Sequence, residues 1–103
     1  MDVSQTARQA GFKYPVAVTQ AVLTEVITPD EIAKKKGQTE AGRLWDVLWM
    51  CSVAARCSKG QAEIRFKLEV VKGKCREFVK LKALCHPGDK EEPVITIMLP
   101  DED

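Results

Sequence analysis

The spacing of apolar side chains changes character near residue 60 of the 103-residue chain. From Ala62 onward the period is two: Ile64, Phe66, Leu68 and Val70 alternate with Glu63, Arg65, Lys67 and Glu69, which predicts a strand with one buried face. Val79, Leu81, Ala83 and Cys85 alternate in the same way with Phe78, Lys80 and Lys82, giving a second strand after a loop at Lys72-Gly73. A two-residue loop there sets Glu69 opposite Arg76 and Glu63 opposite Lys82, and matches Ile64 with Leu81 and Phe66 with Val79 inside. His86-Pro87-Gly88-Asp89 reads as a turn, and residues 94–99 form a third strand bounded by Pro93 and Pro100.

Upstream the punctuation is helical. Asp2-Val3-Ser4-Gln5 opens a short helix that ends at Gly11. Pro15 is a first-turn proline for a helix over 16–27, although Val16, Val18, Thr19, Val22, Thr24 and Val26 are β-branched and oppose it. Thr28-Pro29-Asp30-Glu31 supplies a Thr cap, a proline at the first position and a capping-box Glu. That helix runs into Lys34-Lys35-Lys36-Gly37, three cations at the negative end of its dipole and a left-handed exit. Thr39-Glu40 opens the longest helix, which reaches about Cys57 and leaves through Ser58-Lys59-Gly60.

At about 100° per residue, Leu44, Val47, Leu48, Cys51, Ala54 and Ala55 gather on one side of that helix. Gly42, Trp45, Asp46, Trp49, Ser52 and Arg56 gather on the other. More than half its circumference is apolar, so cover is expected on two sides. The predicted architecture is α+β in one domain, 1–103, with a helical half at 1–60 and a three-stranded antiparallel β-meander at 61–103. The meander packs its Ile64/Phe66/Leu68 and Val79/Leu81/Ala83 face on the long central helix. The shorter N-terminal helices cover that helix's far side.

Sixteen basic against fifteen acidic side chains leave a net charge of +1, which argues against a strong phosphate-seeking field and against an acidic nucleic-acid mimic. The balance is segregated, however: residues 56–82 carry nine basic and three acidic groups, whereas 83–103 carry one and six. A single histidine, His86, removes His-rich zinc sites. The four cysteines, Cys51, Cys57, Cys75 and Cys85, show no CxxC spacing and read as buried free thiols. Cys85 and His86, if both lie on the strand, point to opposite faces and form no catalytic or metal pair; only a turn that begins at His86 would bring them together. Asp101-Glu102-Asp103 reads as an acidic terminus, with nothing beside it to desolvate one carboxyl. No enzyme, metal or cofactor is expected. With no apolar run of about eighteen residues and neither a basic start nor an apolar stretch at Met1-Asp2-Val3-Ser4, the expected location is the cytoplasm, with no membrane partner.

Three stretches carry a resemblance: Ala10-Gly11-Phe12-Lys13-Tyr14-Pro15-Val16-Ala17, Glu40-Ala41-Gly42-Arg43-Leu44-Trp45-Asp46-Val47-Leu48-Trp49-Met50, and Glu92-Pro93-Val94-Ile95-Thr96-Ile97-Met98-Leu99-Pro100. Together they make the chain similar to an uncharacterised family of small bacterial proteins carried by plasmids, phages and related mobile elements. The resemblance implies mobile-element cargo in a bacterial host cell, a group in which small inhibitors of host defence of the anti-CRISPR and anti-restriction type are common. It implies no functional residues.

Two surfaces are candidates. The Trp45-Trp49-Arg56 stripe combines the residue types that dominate interface energetics, and its expected partner is a host-defence protein complex or, at a homodimer seam, a second copy. The competing assignment seals both indoles against 16–27. Arg65, Lys67, Arg76, Phe78, Lys80 and Lys82 would form a basic outer sheet face with one aromatic, the arrangement used to hold single-stranded nucleic acid, although Glu63 and Glu69 interrupt it.

Overall fold

In the computed structural model, which describes residues 1–57, 62–72, 75–87 and 93–102, the β-branched run at 16–27 is not one helix. Val16–Val18 is a strand, β1, and the chain turns helical only at Gln20. Thr19 makes the switch: its hydroxyl accepts from the Val22 amide at 3.3 Å, and its own amide donates to the Ile97 carbonyl at 3.1 Å. The short helix α2, Gln20–Val22, then widens into a π-helical turn over Leu23–Ile27, closed by the Thr28 amide on the Leu23 carbonyl at 2.9 Å. The β-branched residues at 16 and 18 thus take the extended conformation that suits their restricted χ1.

Helix α1, Ser4–Gln9, begins where the Asp2 carboxylate accepts from the Ser4 amide and hydroxyl at 2.9 and 2.5 Å. Those two bonds hold the Asp2 carboxyl below its ordinary value. Helix α3, Glu31–Lys35, is capped by Asp30 in place of Thr28, the Asp30 carboxylate accepting from the Ala33 amide at 2.7 Å. Its exit is a Schellman motif: Gly37, at φ +90°, donates to the Lys34 carbonyl and Gln38 to the Ala33 carbonyl, both at 3.0 Å. Helix α4, Glu40–Cys57, starts at the expected cap, where the Thr39 hydroxyl accepts from the Gly42 amide at 3.0 Å.

The sheet has four strands in the order β1-β4-β3-β2, formed by β1 with β2 (Glu63–Lys72), β3 (Cys75–Pro87) and β4 (Pro93–Met98). Strands β2, β3 and β4 run antiparallel, as the meander requires, but β1 adds a parallel fourth strand on β4. The sheet is therefore mixed, and the predicted three-stranded meander is only part of it. Two such strands far apart in sequence pair because both Val16 and Val18 bury completely beside Ile95 and Ile97.

The hairpin register is shifted by two residues from the expected one: Phe66 faces Leu81, Leu68 faces Val79 and Glu69 faces Phe78. A shift of two preserves the side-chain faces, so the apolar face survives unchanged. The Glu69 to Arg76 ion pair survives too, as a diagonal contact at 3.3 Å. His86 and Pro87 continue β3 where a turn was expected. The remainder of that turn, Gly88-Asp89, lies outside the described residues, as do Ser58-Lys59-Gly60 and Gly73.

The core lies between one sheet face and the helices. Val47, Leu48 and Cys51 of α4 pack with Phe66, Leu68, Val70, Leu81, Ala83 and Ile97. The other helices do not cover the far side of α4. Instead α1 contacts β1 and α4, α2 contacts β4, and the π-helical turn packs on α4, so they lie beside it on the same sheet face. Arg43, only 3% exposed, joins the layers: its guanidinium Nη1 donates to the Val26 and Thr28 carbonyls at 3.2 and 3.5 Å, groups that the end of the π-helical turn leaves open. Glu102 closes the C-terminal end, its carboxylate accepting from the Thr19 hydroxyl at 2.8 Å and the Leu99 amide at 2.7 Å.

The thiols divide, contrary to the expectation that all are buried. Cys51 is buried, whereas Cys57, Cys75 and Cys85 are exposed, two of them near the ends of β3. Burial pushes the Cys51 thiol up from 9.0 to about 12, which keeps it protonated and unreactive. Thiol labelling of the native protein at pH 8 is expected to modify the three exposed cysteines, with the fourth reacting only on unfolding. Rapid labelling of Cys51 in the folded state, located by peptide mapping, would contradict this packing.

Candidate functional site

The side of α4 that faces away from the core carries Trp45, Trp49 and Val53 at successive i, i+4 positions, with Met50 beside them. Trp45 and Trp49 are 38% and 44% exposed. Their rings stack with centroids 6.3 Å apart and planes 15° from parallel. The Arg56 guanidinium lies 5.8 Å from the Trp49 ring centroid, within cation–π range. Ser52 is buried, its hydroxyl donating to the Trp49 carbonyl at 2.7 Å. The indoles therefore do not seal α4 against residues 16–27. They pack on each other and on arginine at the surface, which leaves them preorganised.

This ridge borders one edge of the sheet. Asp46, Trp49 and Met50 form one wall of a groove of about 390 Å³ whose other parts are Lys67, Leu68 and Glu69 of β2 and Phe78 of β3. The two candidate surfaces, separate in the sequence, meet here at Trp49, Lys67 and Phe78. Phe78 is 68% exposed, and the Lys67 ammonium lies 5.3 Å from its ring centroid.

The basic outer face is smaller than its sequence suggests. Arg65 pairs with Glu63 at 3.4 Å and Arg76 with Glu69 at 3.3 Å, so two of its cations are neutralised locally. Lys82, expected on the open face, is only 6% exposed; it lies in the sheet between Arg65 on β2 and Met98 on β4. Lys67 and Lys80 remain exposed, and with Arg65 and Pro100 they border a shallow hollow of about 330 Å³. Lys67 sits directly opposite Lys80, and Arg65 opposite Lys82, two like-charge pairs that work against the hairpin.

Sequence reasoning missed a third hollow, of about 430 Å³, where Phe12, Lys13 and the exposed Tyr14 approach Arg56 and Ile95. Its signal was the aromatic pair around Lys13, adjacent to a glycine at φ +99° that turns the chain back toward α4. His86 and Cys85 diverge as their adjacency on a strand dictates, and the imidazole Nε2 lies 2.8 Å from the Thr96 hydroxyl. Among the described residues, no three His, Cys, Asp or Glu side chains are grouped to hold a metal ion, and no helix is long and apolar enough to cross a membrane.

Fold and surface together define a small α+β protein that presents an apolar aromatic helix ridge beside an open sheet edge. By sequence the chain belongs to a family of unknown function (DUF6573), which matches residues 2–103. No curated protein and no solved structure matches it.

Proposed function

We propose that this protein is non-enzymatic and acts by docking another protein on the Trp45-Trp49-Arg56 ridge, inhibiting a host-defence complex of the anti-CRISPR or anti-restriction type. The observation that carries the docking role is the ridge itself: two stacked indoles and an arginine held at the surface of a helix whose opposite side is core. Tryptophan and arginine are the side chains most enriched among binding hot spots. Prior stacking lowers the entropy lost when they are covered. The mobile-element setting, and with it the host-defence partner in the bacterial cytoplasm, rests on the sequence resemblance. The non-enzymatic reading is supported by the separation of the lone histidine, which engages Thr96, from Cys85 on the opposite face.

Capture from host lysate is the test. A single complex is expected to co-purify with the protein, to survive nuclease, and to be lost with Trp49→Ala in a variant that remains folded. Capture unaffected by Trp49→Ala overturns the reading.

Binding of single-stranded nucleic acid is the second reading, favoured by the exposure of Phe78 beside the Lys67 and Lys80 pair. One stacking ring and two exposed lysines outside the ion pairs make a small footprint, since Lys82 is buried and Arg65 and Arg76 face carboxylates. Gel-shift titration at low salt is therefore expected to give no complex with single-stranded oligonucleotides. A complex that weakens steeply with salt and disappears in Lys67→Glu/Lys80→Glu would reverse the order of the two readings.

A further inference from the structure

The two edges of the sheet are treated differently. Beyond β1, residues 1–3 close the edge: the Val3 amide donates to the Val16 carbonyl and the Val18 amide to the Met1 carbonyl, both at 2.9 Å. At the other end, β2 bonds only to β3 among the described residues. The Cys85 amide donates to the Ala62 carbonyl at 2.8 Å, and these residues continue the β2–β3 register. Even-numbered residues of β2 therefore aim their amides and carbonyls at β3, and Glu63, Arg65, Lys67, Glu69 and Val71 aim theirs out of the sheet.

We infer that β2 pairs antiparallel with β2 of a second copy about a two-fold axis at Leu68, joining the two sheets into one. Charge selects the occupant and the register. The outward residues read minus, plus, plus, minus from Glu63 to Glu69. Full overlap, centred on Phe66, would set Glu63 against Glu69 and Arg65 against Lys67, which repel. An axis at Leu68 instead sets Lys67 against the second copy's Glu69, twice by symmetry. It also places a carboxylate beside Lys67, which within one chain lies directly opposite the like charge of Lys80 across the hairpin.

The same axis lies beside the groove that Trp49, Met50, Leu68 and Phe78 help to line. Pairing brings two copies of that groove to one continuous sheet. One ridge is small beside the roughly 20–30 residues per side of a stable protein interface. Pairing sets two ridges side by side, and Trp45, Trp49 and Arg56 of both make a composite face. In this respect the inference rests on the docking role proposed above, and it names the assembly that performs it.

Sedimentation equilibrium of the full chain, up to about 100 μM, where a dimer of micromolar affinity is populated, reads the assembly directly. The expected mass rises from 11.5 kDa toward twice that value. Lys67→Pro deletes an outward amide without touching the β3 ladder, so it is expected to leave a folded monomer. Lys67→Glu and Glu69→Lys, each placing like charges at both contacts, are expected to weaken the dimer about tenfold, and the double exchange to restore it. A chain that stays at 11.5 kDa throughout overturns the inference, because the edge charges then act as guards against pairing. So does a dimer indifferent to all four variants, and so does one sensitive instead to exchange of Glu63 and Arg65, which places the axis elsewhere. A monomer that still captures a host complex through Trp49 leaves the docking role standing; a dimer that captures nothing removes that role alone.

Discussion

Replacing Leu81 by alanine is expected to destabilise the protein by about 3 kcal/mol, within the range for deleting three buried carbons where the surroundings relax only in part. Leu81 is fully buried in β3, paired with Phe66 on β2 and within the core that α4 covers. Strand β3 lies between β2 and β4, so its neighbours are held by ladders on both sides and have little freedom to collapse into the space. For a domain of this size, a loss of about 3 kcal/mol lowers Tm by roughly 12–20 °C. Thermal denaturation followed by circular dichroism measures it. Phe78, three residues earlier and largely exposed, provides the contrast: Phe78→Ala is expected to change stability by less than about 0.5 kcal/mol. A large loss at Phe78, or a negligible one at Leu81, would mean that the sheet presents its other face to α4.

Trp49→Ala should separate stability from binding. In the free protein the indole gives up its stacking on Trp45, its contact with Arg56 and its place in the groove beside β2, a loss of about 1 kcal/mol at a half-exposed site. In a complex it gives up a desolvated anchor, for which about 2 kcal/mol or more, some thirtyfold in affinity, is the usual cost. Arg56→Ala is expected to cost less, since the guanidinium edges the indole and does not fill a pocket. Calorimetric titration against the captured complex, alongside thermal melts of each variant, resolves the two effects.

The sequence shows most of the elements and fewer of their partners. The period-two runs and the caps at Thr39 and Gly37 are local, and local chemistry decides them. The strand at Val16–Val18 was not legible because its partner, Ile95–Ile97, lies far along the chain; only the β-branched run hinted that a helix would fail there. The hairpin register was obscured by its own charges, since Glu69 reaches Arg76 equally well directly across or on the diagonal. The Trp45-Trp49-Arg56 stripe was legible as a stripe. Its exposure was not, because whether α1 and α2 lie behind α4 or beside it depends on β1 joining the sheet. Once β1 is a strand, those helices are drawn onto the sheet face, and the far side of α4 stays open. Burial of Lys82 follows likewise from Met98, which the third strand brings alongside.

A photo-crosslinking residue placed at Val53, one turn beyond Trp49 on the same ridge and itself exposed, tests the docking role most directly in host cells. Placed at Lys35, on the exposed end of α3, the same residue serves as the control. A nuclease-resistant adduct to a host polypeptide is expected from position 53, absent from position 35 and competed by unlabelled protein but not by its Trp49→Ala variant. Adducts that are equal at both positions, or none to any host polypeptide at position 53, would contradict that role.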